Sequence, residues 1–189
     1  SLGAGAKNVY LLVIENPDGK EIKIDGVTYN CKAHQEETYV YAYLTGKEHT
    51  VEVGEDETEY FFIDGTFVKK SELVLTDAMD FSIEGGSYGT DYLYDSTGNV
   101  LYILNDTKLT IQNKEDVAVA DTTIVTGVDC DANIVLAGVN IDVSGNSGAC
   151  AFKIPDNSTG TVTITLADNS TNTLKSGYLC AGIQKNGDA

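Results

Sequence analysis

Short runs in which apolar and polar residues alternate, each closed by turn-forming residues, fill the chain from Lys7 to about Asp80. Alternation with a period of two predicts strands that bury one face. Val9-Tyr10-Leu11-Leu12-Val13-Ile14 opens the series, and Asn16-Pro17-Asp18-Gly19 supplies a turn after it. Glu21-Ile22-Lys23-Ile24 then meets Val27-Thr28-Tyr29 across Asp25-Gly26, a pair that tolerates positive φ and predicts a two-residue hairpin. Further strands are expected over residues 39–44, 50–53 and 58–63, with the whole series running as a meander. Residues 68–75 fit either a strand or a short helix capped by Ser71.

The pattern changes after Phe81. Only one glutamate, Glu115, remains beyond Glu84, and Asp, Asn, Thr and Gly punctuate strands of four to six residues. This shift predicts a boundary near residue 80, with a hairpin-rich, sandwich-like β region over residues 1–80 and a second part over residues 81–189. Within the second part, laying Ile134 on Ile164 brings Leu136 onto Leu166, Ala137 onto Ala167 and Cys150-Ala151 onto Cys180-Ala181, all at an offset of 30 residues. Asp156 falls beside Asn186 at the same turn. Leu109-Thr110-Ile111, Val117-Ala118-Val119 and Thr123-Ile124-Val125 form a shorter copy of the same plan. Three strands per repeat, each repeat burying its apolar stripe by stacking on the next, predicts short right-handed parallel β-helix coils. The alternative is a Greek-key sandwich in which the matches are coincidental.

Composition supports the all-β class, since β-branched and aromatic residues accompany 19 Gly and only 2 Pro, with no long helix-period stretch. Charge narrows the partners. The chain carries 29 acidic residues against 12 lysines, has no arginine, and reaches a net charge of -17, which repels nucleic acid and anionic membrane surfaces. No apolar run approaches the roughly 20 residues of a membrane-spanning helix, so membrane insertion is not expected. The opening Ser1-Leu2-Gly3-Ala4-Gly5-Ala6 reads as a linker, not a signal peptide.

Several patterns bear on chemistry. Gly85-Gly86-Ser87-Tyr88-Gly89 matches the nucleophile elbow of hydrolases, but both histidines, His34 and His49, precede the serine and no helix pattern follows, so a Gly-rich turn is expected. Asp129-Cys130-Asp131, with Asp121 and Asp142, could gather oxygens around calcium. Without an Asp-x-Asp-x-Asp-Gly loop they are read as turn formers. The cysteines and histidines lack zinc spacing. No catalytic residues, metal or cofactor are therefore assigned, and folding is expected to be independent of metal. Cys150 and Cys180 are expected to stack one coil apart as free thiols in the core, because parallel in-register Cβ vectors run side by side. Thr161, Thr163 and Thr165 share one strand face, a single row where ice-binding solenoids stack several.

The candidate ligand-binding residues are Tyr39, Tyr41 and Tyr43. Period-two geometry sets these three rings on one face of a strand and Val40, Ala42 and Leu44 on the other. Facing solvent, the row would be a rigid amphipathic platform for a protein or a sugar. The alternative is that the rings pack beneath a second element.

Residues 81–86, 89–92 and 132–143, then Ala149-Cys150-Ala151-Phe152-Lys153-Ile154, residues 158–167 and Cys180-Ala181-Gly182-Ile183-Gln184-Lys185-Asn186-Gly187, together resemble a cell-surface, β-helix-like module of gut Gram-positive anaerobes. The likeness covers about the last 105 residues well and the first 80 only loosely. It implies an extracellular module of a longer, wall-attached chain, monomeric and non-enzymatic, working as an adhesin. Relatives of this kind are labelled carbohydrate-binding, and superantigen-like immunoglobulin-binding proteins of gut commensals are similar in organisation. The expected partner is therefore a host protein such as immunoglobulin variable regions, or else a glycan, with or without calcium.

Overall fold

The computed structural model describes residues 9–30, 38–63, 65–77, 79–156 and 158–185. The opening linker, Cys31, His34 and Asn186 lie outside the described residues. The chain is all-β, with multiple sheets and one short 3-10 turn among the described residues. It divides into two units, residues 1–72 and 73–189. Residues 73–80, which precede the change of texture, belong to the second unit, where Leu75 bridges Asp95.

The first unit contains β1 (Tyr10–Glu15), β2 (Ile22–Ile24), β3 (Val27–Thr28), β4 (Tyr39–Leu44), β5 (Glu48–Val53), β6 (Asp56–Ile63) and β7 (Thr66–Lys69), closed by the 3-10 turn Lys70–Glu72. The segment open to two readings in the sequence, residues 68–75, divides between them, its first two residues ending β7 and the next three forming a short 3-10 helix. Asp25 and Gly26 take φ of 52° and 78° between β2 and β3, the left-handed pair that a tight hairpin requires. After β1 the buried Asn16 side chain closes the next turn, donating to Lys20 O and accepting from Lys20 N, both at 2.9 Å.

The expected meander is corrected by the pairing. Only β5, β6 and β7 run as one, within a sheet of order β3-β2-β5-β6-β7, while β1 and β4 form a separate antiparallel pair. The apolar pattern explains the excursion. Leu12 and Ile14 of β1 face Ala42 and Val40 of β4 in register, and this aliphatic face buries against Ile22, Ile24 and Val51 of the larger sheet. A single meander sheet would have left that second aliphatic face uncovered.

The second unit contains β8 (Phe81–Glu84), β9 (Tyr92–Asp95), β10 (Val100–Ile103), β11 (Leu109–Asn113), β12 (Thr123–Thr126), β13 (Asn133–Leu136), β14 (Asn140–Asp142), β15 (Phe152–Ile154), β16 (Thr163–Leu166), β17 (Thr173–Lys175) and β18 (Ile183–Lys185). Three sheets share them, in the orders β18-β15-β12-β10-β9, β16-β13-β11-β8 and β14-β17. All pairs are parallel except β9 with β10 and β8 with β11. Those two antiparallel strands at the start of the sheets carry no trace of the repeat. The register follows the repeat between β13 and β16 but not between β15 and β18, where Phe152 pairs Ile183 and the expected match of Cys150-Ala151 with Cys180-Ala181 is out by one residue. Ile134 pairs Ile164 and Leu136 pairs Leu166, while Leu109 and Ile111 pair Ile134 and Leu136 in turn. Val119 bridges Ile141 beside the β14-β17 pair.

Burial falls off along these ladders. Ile111 and Leu136 are buried whereas Leu166, next in the same row, is 64% exposed; Ile124 and Phe152 are buried and Ile183 is 45% exposed. A strand packed on both sides by neighbours loses its surface, and the last one in a stack keeps it.

Asparagine holds the corners between sheets. Asn113 Oδ1 accepts from Asn140 N, and its amide donates to Asn140 O and Val117 O. Asn172 Oδ1 accepts from Gly138 N and Val139 N at 2.9 and 2.8 Å, while its amide donates to Leu136 O. These side chains satisfy backbone groups that the bends remove from the ladders.

Candidate binding face

The pairing of β1 with β4 decides where the three tyrosines point. Leu11 lies opposite Tyr43, Val13 opposite Tyr41 and Glu15 opposite Tyr39, all on the face away from the aliphatic core. Tyr43 is 55% exposed and Tyr39 38%, while Tyr41 between them is half-buried. The neighbouring strand adds Leu11 and Val13, each 44% exposed, and Val9 just before it is 56% exposed. Three rings and the side chains of Leu11 and Val13 therefore form one solvent-facing patch on two strands. Sequence reasoning found only the tyrosines. The opening run of six apolar residues does not alternate in hydrophobicity, so nothing in it showed that Leu11 and Val13 face outward.

Behind the patch the strand pair is firmly held. Tyr29 donates its hydroxyl to Tyr41 O at 3.1 Å, and Tyr10 packs on Phe62 and Phe67 with ring centroids 4.3 and 6.5 Å away. Beside it an open cleft of about 700 Å³ runs between the two sheets, lined among others by Val13, Tyr39, Tyr60, Phe67, Lys20 and Lys69. Burial, then the Glu72 and Glu15 carboxylates, raise the Tyr60 hydroxyl above its ordinary value, so at neutral pH it is a neutral donor. Tyr39 sits at the lip of the cleft and belongs to both features.

Several of the other candidates are accounted for locally. Gly85, Gly86 and Gly89 take positive φ and Ser87 N donates to Asp91 Oδ2 at 2.7 Å, so the elbow-like motif is a turn closed on Asp91. Thr107 donates to the other Asp91 oxygen at 2.6 Å; this bond first, then the one from Ser87, lowers the carboxyl below its ordinary value. Asp142 accepts from the Ser144 hydroxyl and from Lys175 at 3.0 Å, which hold it at about 2. Asp131 accepts from Thr161 N at 2.7 Å, and Asp121 from Asn99 at 3.3 Å. Among the described residues no three His, Cys, Asp or Glu side chains converge as a metal site.

The thiols differ from their expected place. Cys150 and Cys180 do stack on one another, but both are half-buried and outside the core cluster; among the described cysteines Cys130 is the buried one. Burial and the neighbouring Cys180 push the Cys150 thiol up to about 11.

Comparison with protein-family models, with curated proteins and with solved structures gives no match to this chain.

Proposed function

We propose that the chain is a non-enzymatic, extracellular binding module of a bacterial surface protein, and that it binds a folded host protein through the outer face of β1 and β4. The observation that carries the reading is the exposed patch of Tyr39, Tyr41 and Tyr43 with Leu11 and Val13. Tyrosines offer large contact area at small rotamer cost, and aliphatic neighbours beside them exclude water in the manner of an interface core. Both strands also keep an outer edge without a strand partner among the described residues, a feature that a polypeptide can use and a sugar cannot. The acidic shell disfavours anionic partners. Immunoglobulin variable regions are the preferred target on the resemblance of the second unit to superantigen-like surface proteins.

In this reading the second unit is a short right-handed parallel β-helix. The parallel ladders β10-β12-β15-β18 and β11-β13-β16 support it, as does the general right-handedness of crossovers between parallel strands of one sheet. A glycan is the second reading, favoured by the aromatic lip and polar lining of the cleft beside Tyr39.

The test is capture of immunoglobulin from pooled serum by the intact chain at micromolar concentration, run beside a glycan array. Tyr43→Ala or Leu11→Ala is expected to weaken immunoglobulin binding about thirtyfold, roughly 2 kcal/mol, with the fold intact. Unchanged binding by a folded Tyr39→Ala/Tyr41→Ala/Tyr43→Ala variant would remove the assigned face. Retention of a purified polysaccharide by a chain that ignores immunoglobulin would replace the host-protein reading with the glycan one.

A further inference from the structure

The loop before β15 and the loop before β18 lie one on the other. Gly177 N donates to Ala149 O at 2.8 Å, Gly148 N to Tyr178 O at 3.1 Å, Ala151 N to Ser176 Oγ at 2.8 Å and Phe152 N to Gly182 O at 3.1 Å. The approach is so close that a Cβ on Gly177 would fall 1.8 Å from Asn146 O. Cys180 N closes the upper turn on Gly177 O, and Leu179 is held at φ 72° to make the bend. The two thiols are thus positioned by backbone on both sides. Their Sγ atoms stand 2.9 Å apart, and Cys180 Sγ donates to Gly148 O at 3.2 Å.

The geometry that keeps adjacent parallel strands from bridging their cysteines does not apply to this pair. Parallel Cβ vectors arise between residues in register. Here Phe152 pairs Ile183, so Cys150 corresponds to Ala181 and Cys180 stands one residue out of register. Both cysteines also precede their strands, in turn backbone that the ladder does not align. The remaining gap exceeds a sulfur–sulfur bond by roughly 0.9 Å, within reach of small χ adjustments.

We propose that Cys150 and Cys180 are a disulfide-forming modification site, oxidised by exchange with a low-molecular-weight disulfide such as oxidised glutathione and joining the two loops covalently. One cysteine thiolate attacks a sulfur of the donor and expels a donor thiolate, leaving a mixed disulfide. The second cysteine loses its proton and attacks the protein-side sulfur, expelling the other donor thiolate. The two protein thiols lose two electrons and two protons, and the donor takes up both as two thiols.

The experiment incubates the folded, intact chain in glutathione redox buffers, quenches with acid, alkylates and maps peptides. Lys153 and Lys175 lie between Cys150 and Cys180, and Asp131 and Asp142 lie between Cys130 and Cys150, so trypsin combined with an Asp-directed protease puts Cys130, Cys150 and Cys180 on separate peptides unless a disulfide joins them. The expected result is a mass loss of about 2 Da for the two departing protons, a joined 150–180 peptide pair, reversal by excess reduced glutathione, and a melting temperature several degrees higher when oxidised. Cys150→Ser and Cys180→Ser variants should each stay folded and stop at a glutathione adduct. Full alkylation of both thiols at the most oxidising buffer would overturn the assignment. So would a glutathione adduct that persists on the unsubstituted chain, or a joined pair involving Cys31 or Cys130 instead.

Discussion

Truncating Leu136 and Leu166 to alanine, one at a time, makes the same chemical change at two neighbouring rungs of one ladder. Leu136 is 1% exposed and paired between Ile111 and Leu166, so its loss opens a cavity walled on both sides. Buried leucine-to-alanine changes cost about 2 to 5 kcal/mol, and a site held by a strand on each side collapses poorly, which places this one near the middle of the range, at about 3 kcal/mol. Leu166 is 64% exposed, so only about a third of its side-chain burial is at stake. At roughly 2 to 3 kcal/mol for full burial, that third is worth about 1 kcal/mol or less, and no cavity forms. For a unit of residues 73–189, each kcal/mol shifts the melting temperature by roughly 4 °C, giving a fall of about 12 °C for Leu136→Ala against less than about 4 °C for Leu166→Ala. Calorimetry resolves the two, and urea unfolding with an unchanged m value would attribute the difference to native-state packing. Equal losses, or a larger one at Leu166, would refute the reasoning, because they would mean that Leu166 is covered or Leu136 is not.

Two more predictions concern polar side chains that close the bends. Asp142 is held at about 2 by Ser144 and Lys175 against an ordinary value near 4, so its carboxylate stabilises the fold above about pH 4 and that contribution disappears as pH falls through about 2. A carbon-13 titration should show a midpoint near 2 for Asp142, an Asp142→Asn chain should lack that part of the acid sensitivity, and a midpoint near 4 would contradict the assignment. Asn172→Ala should cost about 2 to 3 kcal/mol because it strands the Gly138 and Val139 N–H groups, and hydrogen exchange at those two amides should rise well above that of the β13 ladder.

Apolar spacing made the ladders of the second unit legible. An offset of 30 residues is the physical register of β13 and β16, where Ile134/Ile164 and Leu136/Leu166 present the same side chain to the same gap, whereas β14 pairs β17 and β15 pairs β18 at longer offsets that the spacing did not show. Spacing could not reveal β8 and β9. Each pairs antiparallel to the ladder it joins, so neither shares the parallel repeat that the offset detects. The corner asparagines were visible only as a turn-rich composition. Their role depends on which backbone groups lose partners at a bend, and that follows from three-dimensional register alone.

The tyrosine strand shows where one-dimensional reading stops. Alternation in Tyr39–Leu44 separates two faces, but it cannot say which of them is covered, since tyrosine suits a half-buried site as well as an open one. The partner strand settles that question. Pairing β1 with β4 places Leu12 and Ile14 beside Val40 and Ala42, and these four aliphatic side chains close the core without the rings. The tyrosines are left outside by competition, because buried Leu and Ile complete the core with no phenolic hydroxyl to satisfy. The same pairing leaves Leu11 and Val13 outside with them, although nothing polar marks those positions. A strand apolar on both faces, with a strand partner at one edge only among the described residues, leaves on its outer side an apolar surface that water disfavours and that a partner could bury.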